Sequence, residues 1–160
     1  MDENTTAKAD PFAPKRLARL VAVQALYQAS FEQEELSVIL RRCLDDASAG
    51  LNDEEGEGEV ISEKPDAALL LQIVHGVMDY REALEAMVAG SLSEKLASGR
   101  MEALLKAILL AGAFELHQHA KIATGIIISD YVDVARAFFN AKEPALVNAV
   151  LDRLGKTLRG

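Results

Sequence analysis

Apolar residues recur at helical spacing along most of the chain, beginning near residue 14. The pattern predicts a first helix from Pro14 to about Ser30, and from Leu20 onward this helix is apolar on nearly every side. Pro14 suits a first helical turn because its fixed φ is already helical. A second helix is predicted over about 32–47, with Cys43 on its apolar stripe.

A third helical region is predicted to begin at Pro65 and to continue to about Ala89, as one bent helix or two. Its apolar stripe contains Leu69, Leu70, Ile73, Val74, Val77, Tyr80, Leu84, Met87 and Val88. The segment 100–119 is apolar on all sides in its middle, which is typical of a buried central helix.

Two more helices are predicted after a short connection at 120–125. The first carries its apolar stripe on Ile127, Tyr131, Val134, Ala135 and Phe138. The last begins at Pro144, and its stripe contains Leu146, Val147, Val150, Leu151 and Leu154. With six or seven helices and no convincing strand pattern, the sequence predicts an all-α, single-domain bundle.

The regions between and before these helices are polar. Residues 1–13 lack an apolar pattern and are predicted to form a disordered tail ahead of one domain at 14–160. Residues 48–64 are rich in glycine and carboxylates. Repulsion among those carboxylates predicts an extended, flexible acidic loop.

Composition limits the function classes. The chain has 160 residues, a formal net charge of −8 and one cysteine. A single cysteine excludes an intrachain disulfide and fits a reducing cytoplasm. The N-terminus does not resemble a signal peptide, and no apolar run is long enough for a membrane span. Net acidity argues against general adhesion to nucleic acid, although a local basic patch would still permit a directed contact.

The sequence shows little catalytic chemistry. It has no glycine-rich phosphate loop and no nucleophile-elbow motif. His117 and His119 stand two positions apart on a predicted helix, so they point away from each other and do not suggest a metal site. Cys43 is predicted to be a small buried thiol. We therefore expect no catalytic residue, no metal and no cofactor.

Three cations at the start of the first helix need an explanation. Lys15, Arg16 and Arg19, here called the basic turn, fall within about 100° on a helical projection and are predicted to share one face. Each costs about 0.3–1 kcal/mol there, because the helix macrodipole is already positive at that end. These three side chains either form a solvated surface or bind phosphates. Backbone N–H groups at a helix start also attract anions, so they would add to a phosphate site here.

Four stretches together resemble the bacterial antitermination factor NusB family, in the family's order and with compatible spacing. They are KRLARLVAVQALYQ (15–28), KAILLAGAFEL (106–116), IISDYVDVARAF (127–138) and LVNAVLDRL (146–154). The resemblance implies a NusB-like helical fold without catalytic activity. It also implies binding of boxA-type leader RNA together with NusE, a ribosomal small-subunit protein. That complex would help RNA polymerase read through terminators in ribosomal-RNA operons.

The resemblance also suggests site residues. It assigns the basic turn to the RNA backbone, since single-stranded RNA needs cations for its phosphates and flat groups for its bases. Tyr27 matches a family tyrosine and is expected either to meet RNA or partner or to pack internally. Lys142, predicted in the turn before the last helix, could contact a phosphate. Asn148 is expected to tie helices together or to contact RNA.

The sequence departs from the family pattern at three leucines. Leu105, Leu110 and Leu146 stand where the family usually has an acidic residue, an arginine and an aromatic residue. Leu105 and Leu110 could create an apolar patch that a second copy covers, so a homodimer is one hypothesis for assembly. The acidic stretch 52–59 resembles an insertion.

Two other functions stay open from the sequence. NusB-like domains also occur fused ahead of a ribosomal-RNA cytosine methyltransferase, although this chain ends after the bundle and leaves no room for a methyl-donor site. The other alternative is a helical protein-interaction module that has lost RNA binding.

Overall fold

The computed structural model describes residues 10–31, 33–51, 64–93 and 101–160, with the side chains of 48–51 left out. These ranges contain seven helices and no strand, which confirms the all-α prediction. The helices are α1 (Ala13–Ala29), α2 (Leu36–Leu51), α3 (Ala67–Asp79), α4 (Arg81–Gly90), α5 (Ala103–Gln118), α6 (Thr124–Phe138) and α7 (Lys142–Arg159). Residues 1–9 of the predicted tail at 1–13 and most of the predicted acidic loop, 52–63, lie outside the described residues.

The helix α5 lies at the centre of the bundle, as its all-round apolar pattern predicts. It packs against α1, α3, α4, α6 and α7. Leu105 and every residue from Ala107 to Leu116 on this helix are buried. Its burial supplies a large share of the hydrophobic driving force for folding, since each fully buried Leu, Ile or Phe contributes about 1.5–3 kcal/mol.

Several predicted boundaries and faces need correction. The second helix begins four residues later than predicted and continues to Leu51, into the segment that the sequence assigned to a loop. The third region is two helices that break at Tyr80, whose side chain is exposed rather than part of the core stripe. Phe138 is also exposed, while Phe139 packs against the core.

The leucines that depart from the family pattern do not form the expected apolar patch. Leu105 and Leu110 are buried within this chain, and Leu146 packs partly against the same core. This removes the reason that the sequence offered for a homodimer through Leu105 and Leu110.

A backbone contact fixes where α1 begins relative to α3. The N–H of Asp66 donates to the carbonyl of Pro14 at 3.0 Å. The Asp66 carboxylate in turn accepts from the N–H of Leu69 at 3.0 Å and so caps α3. An aspartate at the N-cap satisfies one of the backbone donors that a helix start leaves unpaired. The start of α1, with its basic turn, is thus held beside the start of α3.

Gly76 on α3 permits close contact with α5. A Cβ at this position would lie 2.1 Å from Cε1 of the buried Phe114 ring. We expect Gly76→Ala to lower the free energy of unfolding by about 1–3 kcal/mol, because the ring must shift within a packed core. Gly125→Ala is the control, since a Cβ there meets nothing within 4 Å. Urea unfolding should show a loss for Gly76→Ala alone, and equal stability of the two variants would contradict the packing argument.

Candidate nucleic-acid interface

The first turn of α1 is exposed to solvent at one end of the bundle. Phe12 precedes the helix with 56% of its surface exposed, and Lys15 is also exposed. The N–H of Phe12 donates to Asp10 Oδ1 at 2.9 Å, and Arg16 forms an ion pair with the same carboxylate. The N–H of Phe12 and then Arg16 lower the pKa of Asp10, and Asp10 raises the pKa of Arg16.

Arg19 lies in the interior, not on the exposed face that the sequence predicts. Its side chain is 1% exposed and makes a two-pronged contact with Glu115 of α5. Nε donates to Oε2 at 2.7 Å and Nη2 donates to Oε1 at 2.8 Å. Nη1 donates to Asp130 Oδ2 of α6 at 2.6 Å. Arg19 therefore joins three helices in the core, where two carboxylates compensate for its charge.

Two further side chains complete this buried cluster. The hydroxyl of Tyr131 donates to Glu115 Oε2, and His119 Nδ1 lies 3.0 Å from Glu115 Oε1. With Arg19, Glu115 and Asp130 they form what we call the buried ion cluster. Among the described residues, no buried side-chain nitrogen or oxygen lacks a hydrogen-bond partner. A fully paired network is the condition under which ionised groups are tolerated in a core.

The cluster shifts the acidity of its members in different directions. Burial by itself raises the pKa of Glu115, but the hydrogen bonds from Arg19 and His119 outweigh it and lower that pKa to about 2. Burial also raises the pKa of Asp130, and there the single contact with Arg19 does not fully offset it. Burial raises the pKa of Tyr131 well above its usual range. Glu115 accepts two hydrogen bonds from Arg19 and Asp130 accepts one, so Glu115 is the main partner of Arg19.

Two adjacent hollows open beside the first turn of α1. The α1–α6 hollow, of about 630 Å³, is lined by Phe12, Lys15, Arg16, Arg19, Lys121, Ile122, Ala123, Gly125, Ile126, Ser129 and Asp130. The α3–α5 hollow, of about 480 Å³, is lined by Lys15, Asp66, Ala68, Leu69, Gln72, Gln118, His119, Ala120, Lys121 and Ile122. Both linings include Lys15, Lys121 and Ile122. The two hollows are therefore adjacent, and both lysines belong to the lining that they share.

Arg159, near the end of α7, holds the connection that carries Lys121. Its guanidinium donates to the carbonyl oxygens of Leu116 at 3.0 Å, His119 at 2.8 Å and Ile122 at 2.6 Å. A cation on the last carbonyls of α5 also opposes the negative end of that helix dipole. The sequence pattern does not indicate Arg159 or Lys121 as residues that shape this surface.

The other predicted site residues lie away from the two hollows. Tyr27 is half-buried near the far end of α1, where its ring meets Phe31 edge-on with centroids 5.0 Å apart. Lys142 is exposed and is the first residue of α7, not part of a preceding turn. Asn148 is exposed on α7. The structure brings together Lys15 and Arg16 of the predicted set and does not place these three beside them.

The chemistry of the hollows suits an anionic, flat ligand. Cations stand beside exposed apolar surface on Phe12 and Ile126 in one hollow, and beside glutamine amides in the other.

The described parts of the chain contain no cluster of three or more His, Cys, Asp or Glu placed to hold a metal. Within the same ranges no helix is long and apolar enough to cross a membrane.

Comparison with known proteins gives consistent similarities. The model of the NusB family matches residues 16–156. The chain is 38% identical to the transcription antitermination protein NusB of Sinorhizobium fredii over 89% of this chain and 86% of that protein. It is 37% identical to the NusB protein of Rhizobium johnstonii over 100% of this chain and 98% of that protein.

Solved structures show the same fold. T. maritima NusB superimposes with a TM-score of 0.68 at 23% identity, covering 89% of this chain and 91% of that one. A NusB chain in a crystal structure of NusB and NusE with double-stranded RNA has a TM-score of 0.67 at 18% identity, covering 89% of this chain and 96% of that one.

Proposed function

The chain belongs to the NusB family, and from this premise we propose that it binds boxA-type leader RNA through the first turn of α1. It would act together with NusE in the RNA polymerase antitermination complex and promote read-through of ribosomal-RNA operons in the cytoplasm. Its curated relatives are transcription antitermination proteins and not enzymes. Those relatives match over nearly their full length, which supports this function over a methyltransferase domain.

The observation that carries the proposal is the position of Lys15 and Lys121. The chain is acidic overall, with a formal net charge of −8, yet two lysines from different elements line the same pair of open hollows. Arg16 adds a third cation at the rim. A local concentration of positive charge on an acidic body directs a polyanion to one place.

Arg19 is not part of the proposed contact surface. Its guanidinium is committed to Glu115 and Asp130, so a phosphate would have to compete with two buried carboxylates. Its proposed role is to hold α1, α5 and α6 in register, which positions Lys15 and Arg16. Tyr27, Lys142 and Asn148 stay as proposed contacts to RNA or to NusE outside the hollows.

A salt titration tests the proposal. The chain, with and without NusE, is titrated with fluorescent single-stranded boxA-type RNA and with an RNA duplex of equal length. For two to three phosphate contacts we expect a log–log slope of affinity against salt of about −1.4 to −2.1, at about −0.7 per contact on a single strand. Binding to the single strand should be tighter than to the duplex, and NusE should strengthen it.

Three outcomes would contradict the proposal or favour an alternative. An RNA affinity that does not change with salt would show that the cations make no electrostatic contact with the RNA phosphates. Failure of both the chain and its mixture with NusE to bind RNA would favour a protein-interaction module. Methyl transfer to cytosine in ribosomal RNA by the natural gene product would favour the methyltransferase alternative.

A further inference from the structure

We propose that the α3–α5 hollow seats one base of the bound RNA strand and that Gln72 reads the edge of that base. This inference rests on the proposed function, because it names a site for one nucleotide beyond the basic turn. The RNA backbone would pass between Lys15 and Lys121, and the base would turn inward from that point.

Continuity of the two hollows is the first argument. Lys15, Lys121 and Ile122 line both of them, so the two hollows are adjacent and these three side chains lie at their junction. Phosphates repeat along a strand and bases project from it. A pair of cations at the junction therefore fixes a phosphate at the place from which a base can enter the second hollow.

The lining of the α3–α5 hollow fits a base better than a phosphate. Its apolar surface comes from Leu69 and Ile122 together with two alanines, Ala68 and Ala120. Asp66 adds a carboxylate that would repel a phosphate, and that carboxylate is oriented toward the backbone of α3. Its volume of about 480 Å³ lies in the range of about 300–1,000 Å³ that is typical of small-molecule sites.

The polar groups of the hollow can distinguish base edges. Gln72 is exposed on α3 and lines the hollow, and its amide offers donors and an acceptor on one planar group. Gln118 also lines the hollow, and its Nε2 lies 2.7 Å from His117 Nδ1, a contact that leaves the amide oxygen as an acceptor. His119 is oriented by its contact with Glu115 at 3.0 Å. Unpaired bases in single-stranded RNA are read by such edge contacts.

The test measures how tightly the parent chain and its variants bind RNAs that each lack one base. Single-stranded boxA-type RNAs that lack one base at successive positions are titrated against the parent chain, Gln72→Ala, Ala68→Trp and the control Gln33→Ala. Ala68 and Gln33 are exposed, so their replacement should leave the fold intact. Ala68→Trp places a bulky ring in the hollow and Gln72→Ala removes the reading amide.

We expect Gln72→Ala to weaken binding of intact RNA by about five- to tenfold, in line with the loss of one hydrogen bond. Ala68→Trp should weaken it at least as much, because its ring occupies the space of the base. One abasic position should weaken binding to the parent and leave the two variants unaffected. The salt slope should not change, because the phosphate contacts remain. Gln33→Ala should behave as the parent does.

The inference is overturned if Gln72→Ala and Ala68→Trp bind every RNA as the parent does while the salt slope persists. That result leaves the proposed function in place and shows that the hollow holds no base. If the parent itself binds no RNA with or without NusE, both the proposed function and this inference fail.

Discussion

Arg19→Met is expected to lower the free energy of unfolding by about 3–5 kcal/mol, the usual cost of removing one partner from a buried ion pair. Methionine keeps much of the packing volume but leaves Glu115 without its two-pronged contact at 2.7 and 2.8 Å. Asp130 loses its contact at 2.6 Å. For a domain of this size the midpoint of thermal unfolding should fall by about 10 °C, which circular dichroism or calorimetry measures.

The pH dependence separates loss of charge compensation from loss of packing. In the parent, the pKa of Glu115 is lowered to about 2, so its stabilisation is present above the unfolded pKa and is lost as pH falls from about 4.5 toward 2. In Arg19→Met both carboxylates lack a cation, so their pKa values should rise and acid should neutralise them. The stability difference between the two proteins should therefore shrink between pH 7 and pH 4.

Two more variants keep this prediction testable if Arg19→Met does not fold. Arg19→Lys retains the charge but cannot form the two-pronged contact, so it should lie between the parent and Arg19→Met. Glu115→Gln combined with Arg19→Met should cost less than the sum of the two single changes, because they remove one interaction. A difference between parent and Arg19→Met that is constant with pH, with additive single changes, would contradict the ion-cluster account.

The helices that the sequence predicts best are those with the strongest apolar pattern. The first helix begins at Ala13, one residue before the predicted Pro14. The central position of α5 is confirmed, because a helix that is apolar on all sides has to be buried on all sides. The pattern from Pro65 to Ala89 predicts helix but does not decide between one bent helix and two, and it does not indicate the break at Tyr80. Only packing against the rest of the bundle decides whether such a stripe is continuous.

The basic turn shows that the sequence alone does not predict which of several neighbouring cations is exposed and which is buried. Lys15, Arg16 and Arg19 have the same charge and share one helical projection, yet one is exposed, one meets Asp10 and one is buried. The burial of Arg19 depends on Glu115, which lies 96 positions away in the chain. The signal that could have indicated it is Glu115 itself, since an acidic residue inside the otherwise apolar α5 requires a buried partner.

The buried ion cluster and the open hollows are parts of one arrangement. Arg19 lines the α1–α6 hollow while its guanidinium joins α1 to α5 and α6. Lys15 and Arg16 stand on the turn that this contact fixes. Arg159 in turn donates to the carbonyl oxygens of His119 and Ile122 and so fixes the connection that bears Lys121. The cations proposed to meet RNA are therefore held by two arginines that are themselves occupied within the protein.

Charge reversal of Lys15 and Arg16 should consequently weaken RNA binding without unfolding the chain. For Lys15→Glu with Arg16→Glu we expect affinity for single-stranded boxA-type RNA to fall by a factor of about 10–100 at 0.1 M salt, and the salt slope to shrink by about 1.4 as two phosphate contacts are lost. Arg16 forms an exposed ion pair with Asp10, and exposed pairs contribute little to stability because solvent screens them. Stability should change little.

The matched control is Arg41→Glu with Lys156→Glu. It makes the same change in net charge at two exposed cations outside the lining of both hollows. Lys156 is part of an exposed pair with Asp152 at 3.2 Å, so the control also disrupts a surface ion pair, as the Arg16 change does. We expect the control to keep most of its affinity and its salt slope, because the local field at the first turn of α1 is unchanged. If the two double variants lose affinity equally, net charge and not the basic turn governs binding, and the proposed interface is wrong.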